Sequence, residues 1–264
     1  MTEEKTGIFS VIAAEERLPD FILAAKIISE SRGINRDDAG RIARHSWGFL
    51  GENLSGARAD ELVERCALYG VKAVKMAAAD LAALKPPLHI KKAVFAGGIF
   101  SYTDGNALAG TAEKDDTLII AAAPVKDETI KVIKTTEGPS GQERAIRLGI
   151  MAVTGLPIGL GKTKEVKKEV KTSDLSFYMD IVLKTDRLRL GSNDFDFSCL
   201  REKKTYSSQT NFRLMCAELA AFAPRALKNA GLSAILESRP LALLPYDTID
   251  DFEKETLRLS ALAR

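Results

Sequence analysis

Leu84-Lys85-Pro86-Pro87-Leu88 divides the sequence into two textures. Two consecutive prolines cannot continue a helix, and each pushes the residue before it into extended backbone, so these five residues read as a connector. Before them the pattern is Ala-rich and mostly helical. After them it alternates and is richer in Thr, Val and Ile. The reading that follows is α+β. Residues 1–84 form a small α/β domain, 85–91 a linker, and 92–264 a strand-rich domain with a helical appendage at its C-terminal end.

Upstream of the connector, Gly7-Ile8-Phe9-Ser10-Val11-Ile12 reads as a strand. Pro19 and Asp20 start a helix with Phe21, Ile22, Ala24, Ala25 and Ile28 on its apolar side, and Gly33 is its natural stop. Asn35 is a good cap for a second helix that turns Ala39, Ile42 and Ala43 inward. Trp47-Gly48-Phe49-Leu50 reads as a brief strand, with Trp47, the single tryptophan, as a core anchor. Ser55 caps a third helix, where Ala59, Leu62, Val63 and Cys66 fit a 3.6-residue period, and Gly70 ends it. Val71 to Met76 alternates at period two. The order is strand-helix-helix-strand-helix-strand.

This order resembles the C-terminal domain of the bacterial ribosomal stalk protein and the related ClpS-like adaptor fold. The likeness is carried by Gly33-Ile34-Asn35-Arg36-Asp37-Asp38-Ala39, by Gly51-Glu52-Asn53-Leu54-Ser55 with Ala59-Asp60-Glu61-Leu62, and by Tyr69-Gly70-Val71-Lys72-Ala73. Those domains bind protein segments and perform no chemistry. The resemblance implies a protein partner on the exposed faces of the first two helices. The basic residues there are Lys26, Arg36, Arg41 and Arg44, interrupted by Asp37 and Asp38.

Downstream, strands are expected at Ala93-Val94-Phe95, Ile99 to Tyr102, Leu118 to Ala122, Thr129 to Thr135 and Thr163 to Lys171. Ser176 to Leu183 is the strongest strand pattern in the chain, answered by Asp186 to Leu190 after a tight turn at Lys184-Thr185. Ile146 to Leu160 reads as a helix followed by a Gly/Pro loop. From Gln209 the pattern turns helical through Phe212, Leu219 and Phe222 and stops at Pro224. In architecture this half resembles a bacterial pleckstrin-homology-like (PH-like) antiparallel β-barrel with a closing helix. Thr248 caps a last helix, with Asp250 and Asp251 in its first turn where the helix dipole favours them.

Composition narrows the function. Of 264 residues, 45% are hydrophobic and 28% charged, an ordinary globular balance. Thirty-eight basic residues against 36 acidic ones argue against a dedicated nucleic-acid surface. The opening residues carry early glutamates rather than an apolar run, which predicts no secretory signal, and no stretch reaches the ~18–20 apolar residues of a membrane span. Cys66, Cys199 and Cys216 form no C-x-x-C pair, as expected of three small hydrophobes in a reducing cytoplasm. His45 and His89 belong to no His-Glu-x-x-His motif, so neither a metal nor a cofactor is expected.

Three motifs hold chemistry-bearing residues. Gly161-Lys162-Thr163 resembles the end of a phosphate-binding loop, but Leu156 stands where the first glycine is required and an alternating, strand-like segment follows. Lys162, Lys164, Lys167 and Lys168 could dock on an anionic membrane surface, although Glu165 and Glu169 dilute them and a mixed-charge solvated ribbon is the simpler reading. Asp194, Asp196, Glu202 and Lys204 match the residue types of a metal-dependent phosphodiesterase or nuclease, in which carboxylates hold the ion and a lysine stabilises developing charge. That alternative requires all four to converge on one point. The leading expectation is a cytoplasmic, non-enzymatic adaptor or scaffold that recognises a protein partner through its first domain and a second partner or membrane surface through its second.

Overall fold

In a computed structural model the described residues are 7–81, 83–106, 108–137, 164–240 and 246–263, with side chains described outside 126–137 and 164–174. Residues 1–126 with 175–264 form one compact unit, and 127–174 form a second. The fold is α+β, with a three-stranded antiparallel sheet and a seven-stranded mixed sheet.

The first sheet has the order β2-β1-β3. Its strands are β1 (Phe9–Ala13), β2 (Phe49–Leu54) and β3 (Ala73–Ala77). Helices α1 (Phe21–Arg32), α2 (Arg36–Arg44) and α3 (Gly56–Leu68) complete this part. Local chemistry sets their ends. The Asp20 carboxylate accepts from the amides of Ile22 and Leu23 at 2.9 and 3.2 Å. Gly33 closes α1 in the left-handed region with φ 64°. Asn35 caps α2 by accepting from the Asp38 amide at 2.8 Å. Ser55 precedes α3 as expected, but its hydroxyl makes no capping bond. Val11, Ile27, Ile28, Leu50, Leu62 and Cys66 fill the core between helices and sheet. The expected strand at Trp47 begins only at Phe49, because Trp47 and Gly48 take positive φ values of 49° and 84° and turn the chain first.

The second sheet has the order β10-β7-β8-β9-β4-β5-β6. It comprises β4 (Leu88–Ala96), β5 (Ile99–Asp104), β6 (Ala109–Glu113), β7 (Thr117–Glu137), β8 (Lys164–Leu183), β9 (Arg187–Gly191) and β10 (Leu227–Lys228). Residues 88–91, expected in the linker, are the start of β4. The antiparallel barrel expected after residue 92 takes a different form. β4 pairs parallel to β9, β10 pairs parallel to β7, and no closed barrel is found among the described residues. Parallel neighbours need long crossovers, which a strand-by-strand reading does not reveal. The helix expected within 146–160 lies outside the described residues.

Both faces of β7 are covered over Ile119 to Ala123, which is why this stretch is apolar without interruption. Ile120, Ala122, Met179 and Ile181 face α4 (Ser208–Phe222) and α5 (Ala230–Leu236). Ile119, Ala121, Ala123 and Val182 share a cluster with Trp47, Tyr246, and Phe252 and Leu259 of α6 (Ile249–Leu262). Thr248 caps α6 through the Asp251 amide at 3.1 Å. Among the described residues no helix is long and apolar enough to cross a membrane.

Candidate functional site

The four basic residues expected to meet a partner line one groove between α1 and α2. Helical spacing explains the grouping. Arg36, Gly40 and Arg44 stack one turn apart along α2, as do Asp37 and Arg41, while Ala39 and Ala43 face the core. On α1, Phe21 and Ala25 stack in the same way, as do Ile22 and Lys26, while Ala24, Ile27 and Ile28 face inward. The groove encloses about 680 Å³, with Phe21, Ile22, Ala25 and Gly40 as its apolar lining and Lys26, Arg36, Arg41 and Arg44 as its cations. A neighbouring hollow of about 350 Å³ shares Phe21 and Arg44 and reaches Trp47 and Gly48.

The apolar part of this lining is open. Phe21 is 47% exposed and Ile22 76%. The cations are largely uncommitted. Among the described residues Arg36 and Arg44 have no acidic partner, and Arg41 reaches Asp38 only at 3.9 Å, with both side chains in solvent. Lys26 lies over the Tyr69 ring at 4.6 Å from its centre. Asp37 is the one acidic residue in the lining.

The end of α2 leads from this groove into a buried joint. The indole N–H of Trp47 donates to the Asp251 carboxylate at 2.6 Å, and His45 Nδ1 lies 3.1 Å from the same oxygen. The Trp47 ring stacks on Tyr246 with centres 4.5 Å apart. Arg258, wholly buried, donates to the carbonyls of Ala13, Glu15 and Glu16 at 3.1, 2.6 and 2.9 Å. A Cβ on Gly48 would lie 2.5 Å from Arg258 Cδ, so glycine is required there by space as well as by its positive φ. Glu255 accepts from the Tyr246 hydroxyl and from the Ala230 amide. Burial pushes the Glu255 carboxyl and the Tyr246 hydroxyl up and pulls the Arg258 guanidinium down. Each shift follows from moving a charged form out of water.

A second buried network joins β8, β9 and α6. Asp180 is fully buried and accepts from Arg187 Nε at 2.8 Å and from Arg189 Nε at 2.6 Å. Both arginines also reach Glu253 at 2.8 Å. Burial alone would raise the Glu253 carboxyl, but hydrogen bonds and charge from Arg187 and Arg189 outweigh it and hold the group below its usual range. The network pairs its two carboxylates with its two arginines. Sequence reasoning missed it, although a signal was present: an aspartate inside the apolar run 177–183 demands a cation, and Asp180 lies directly opposite Arg189 in the β8–β9 register.

The four residues of the phosphodiesterase alternative do not all come together: Asp196 and Lys204 pair with each other, and Asp194 has another partner. Asp194 pairs with Lys91. Asp196 accepts from the Ser198 amide at 3.0 Å and lies 3.5 Å from Lys204. Glu202 is exposed on a 3-10 turn at 197–203. Among the described residues no three His, Cys, Asp or Glu side chains come together in a geometry that could hold a metal. Lys162 lies outside the described residues, and for Lys164, Lys167 and Lys168 only the backbone, in β8, is described. Cys66 and Cys216 are buried thiols, with burial raising Cys66 to about 11. Comparison of the chain with family models, curated proteins and solved structures found no match in any of the three.

Proposed function

We propose that this chain is a non-enzymatic binding protein, an adaptor or scaffold that holds a segment of a protein partner in the groove between α1 and α2. One observation carries this reading: Phe21 and Ile22 stand open to solvent beside four cations, of which Arg36 and Arg44 have no partner among the described residues. Exposed apolar surface rimmed by polar groups is characteristic of an interaction site. The proposed compartment is the cytoplasm. The likeness of the second segment to a PH-like domain is proposed only as an order of elements, strands followed by a helix, and assigns no ligand.

The test compares capture from source-cell lysate by the full chain and by the Arg41→Glu, Arg44→Glu double variant, with bound proteins identified by mass spectrometry. Both substitutions are on the surface, so the variant is expected to keep its fold. A protein retained by the wild type and lost from the variant is the expected result. The same proteins on both would overturn the reading.

A further inference from the structure

Gly40 is out of place for the fold and in place for a ligand. It sits inside α2, where glycine weakens a helix relative to alanine. Its backbone does not require glycine, because its φ is not positive. Space does not require it either. An added Cβ would meet only the tip of the Phe21 ring, at 3.9 Å, an ordinary contact. A methyl group there would occupy the groove rather than collide with the core. What glycine does provide is depth in the groove lining beside Phe21.

The charges around that point have one dominant sign. Arg36 and Arg44 lie one helical turn to either side of Gly40, so their Cα atoms are about 12 Å apart along the helix. Arg41 and Lys26 line the same groove. Against these four stand Asp37 and, just outside the lining, Asp38, whose carboxylate already accepts from the Asn35 side chain at 2.7 Å. Such a rim attracts carboxylates and repels lysine and arginine.

We infer that the groove takes an acidic protein segment that seats one bulky apolar side chain over Gly40 against the Phe21 ring, with carboxylates on both sides of that anchor facing Arg36 and Arg44. This rests on the binding reading above and adds the chemistry of the occupant. The apolar anchor supplies most of the affinity, because it leaves water for a concave site. The flanking acids set orientation, encounter rate and salt dependence.

The experiment uses the full chain and fluorescence anisotropy at low salt with three labelled nonapeptides. One is built of Glu and Asp around a central Leu, the second has Ser in place of that Leu, and the third has Lys in place of the acids. The first is expected to bind about tenfold or more tightly than either control, and to weaken as salt is added. Gly40→Ala is expected to weaken its binding about threefold or more while the unfolding midpoint holds or rises. Arg36→Glu with Arg44→Glu is expected to abolish it. Equal binding of the Leu and Ser peptides, unchanged affinity in Gly40→Ala, or no binding of the acidic Leu peptide overturns the inference. The lysate comparison separates this failure from that of the binding reading. A partner still lost from the Arg41→Glu, Arg44→Glu variant would keep the groove as a binding site and reject only the acidic, Leu-anchored occupant.

Discussion

The α1–α2 groove and the joint under α6 are both built from arginines beside aromatic rings, but they differ in what surrounds the charge. In the joint, Arg258 is 0% exposed and its guanidinium is met by three backbone carbonyls and the Glu255 carboxylate. Trp47 and Tyr246 are stacked and buried beside it. In the groove, Arg36 and Arg44 project into solvent with no acidic partner among the described residues, and Phe21 keeps half its surface in water. A charge removed from water is tolerated only when its own fold supplies partners, so the joint's arginine is explained by the structure it holds. The groove's arginines and rings have no such internal explanation, and they are where a partner is sought.

This contrast predicts a graded series of effects. Arg258→Ala should be the most damaging change. It leaves Glu255 buried without its cation and removes the donor shared by the Ala13, Glu15 and Glu16 carbonyls, at a cost of about 3–5 kcal/mol in urea unfolding. A loss under about 1 kcal/mol would mean the joint contributes little to stability and the contrast fails. Asp251→Ala removes the acceptor of the Trp47 indole and should cost about 1–3 kcal/mol. Trp47 is the only tryptophan, so its fluorescence reports directly on the joint. An unchanged emission spectrum would show that the indole does not depend on that carboxylate.

Acidification should have a smaller effect of defined sign. The Glu253 carboxyl is held below its usual range in the folded chain by Arg187 and Arg189. Its contribution is therefore complete above the unfolded-state value and is lost as pH falls through the folded one. The thermal midpoint of the wild type should drop on acidification by more than that of Glu253→Gln; parallel curves would remove Glu253 from the account. The smallest change should run the other way. Gly40→Ala should stabilise the fold by about 0.5–1 kcal/mol, as for a glycine inside a helix that the fold does not need. If it destabilises, the glycine serves the packing of α1 on α2, and the contrast between joint and groove narrows.

The first 80 residues were legible one element at a time. Asp20, Gly33 and Asn35 mark helix ends by contacts within a few residues, and the spacing of Ala59, Leu62 and Cys66 alone separates the inner face of α3 from its outer face. The placement of Lys26, Arg36, Arg41 and Arg44 on one side of two helices follows from the same 3.6-residue geometry. The second half was legible as strands but not as a sheet. Leu88 to Ala96 pairs with β5 on one side, a hairpin neighbour, and with β9 on the other, about a hundred residues away. No local pattern announces the second pairing.

By itself, the sequence determined where α1, α2 and α3 begin and end and which cations share a face. These are decided among residues a turn or a pleat apart, where periodicity and capping act. Only the tertiary structure decided that Trp47 meets Asp251, 204 positions later, that Asp180 is matched by two arginines that Glu253 also engages, and that the last helix packs against both sheets. Those contacts depend on strand order, on register and on how layers stack. That information is spread over the whole chain, and burial then turns it into a requirement that every enclosed charge find a partner.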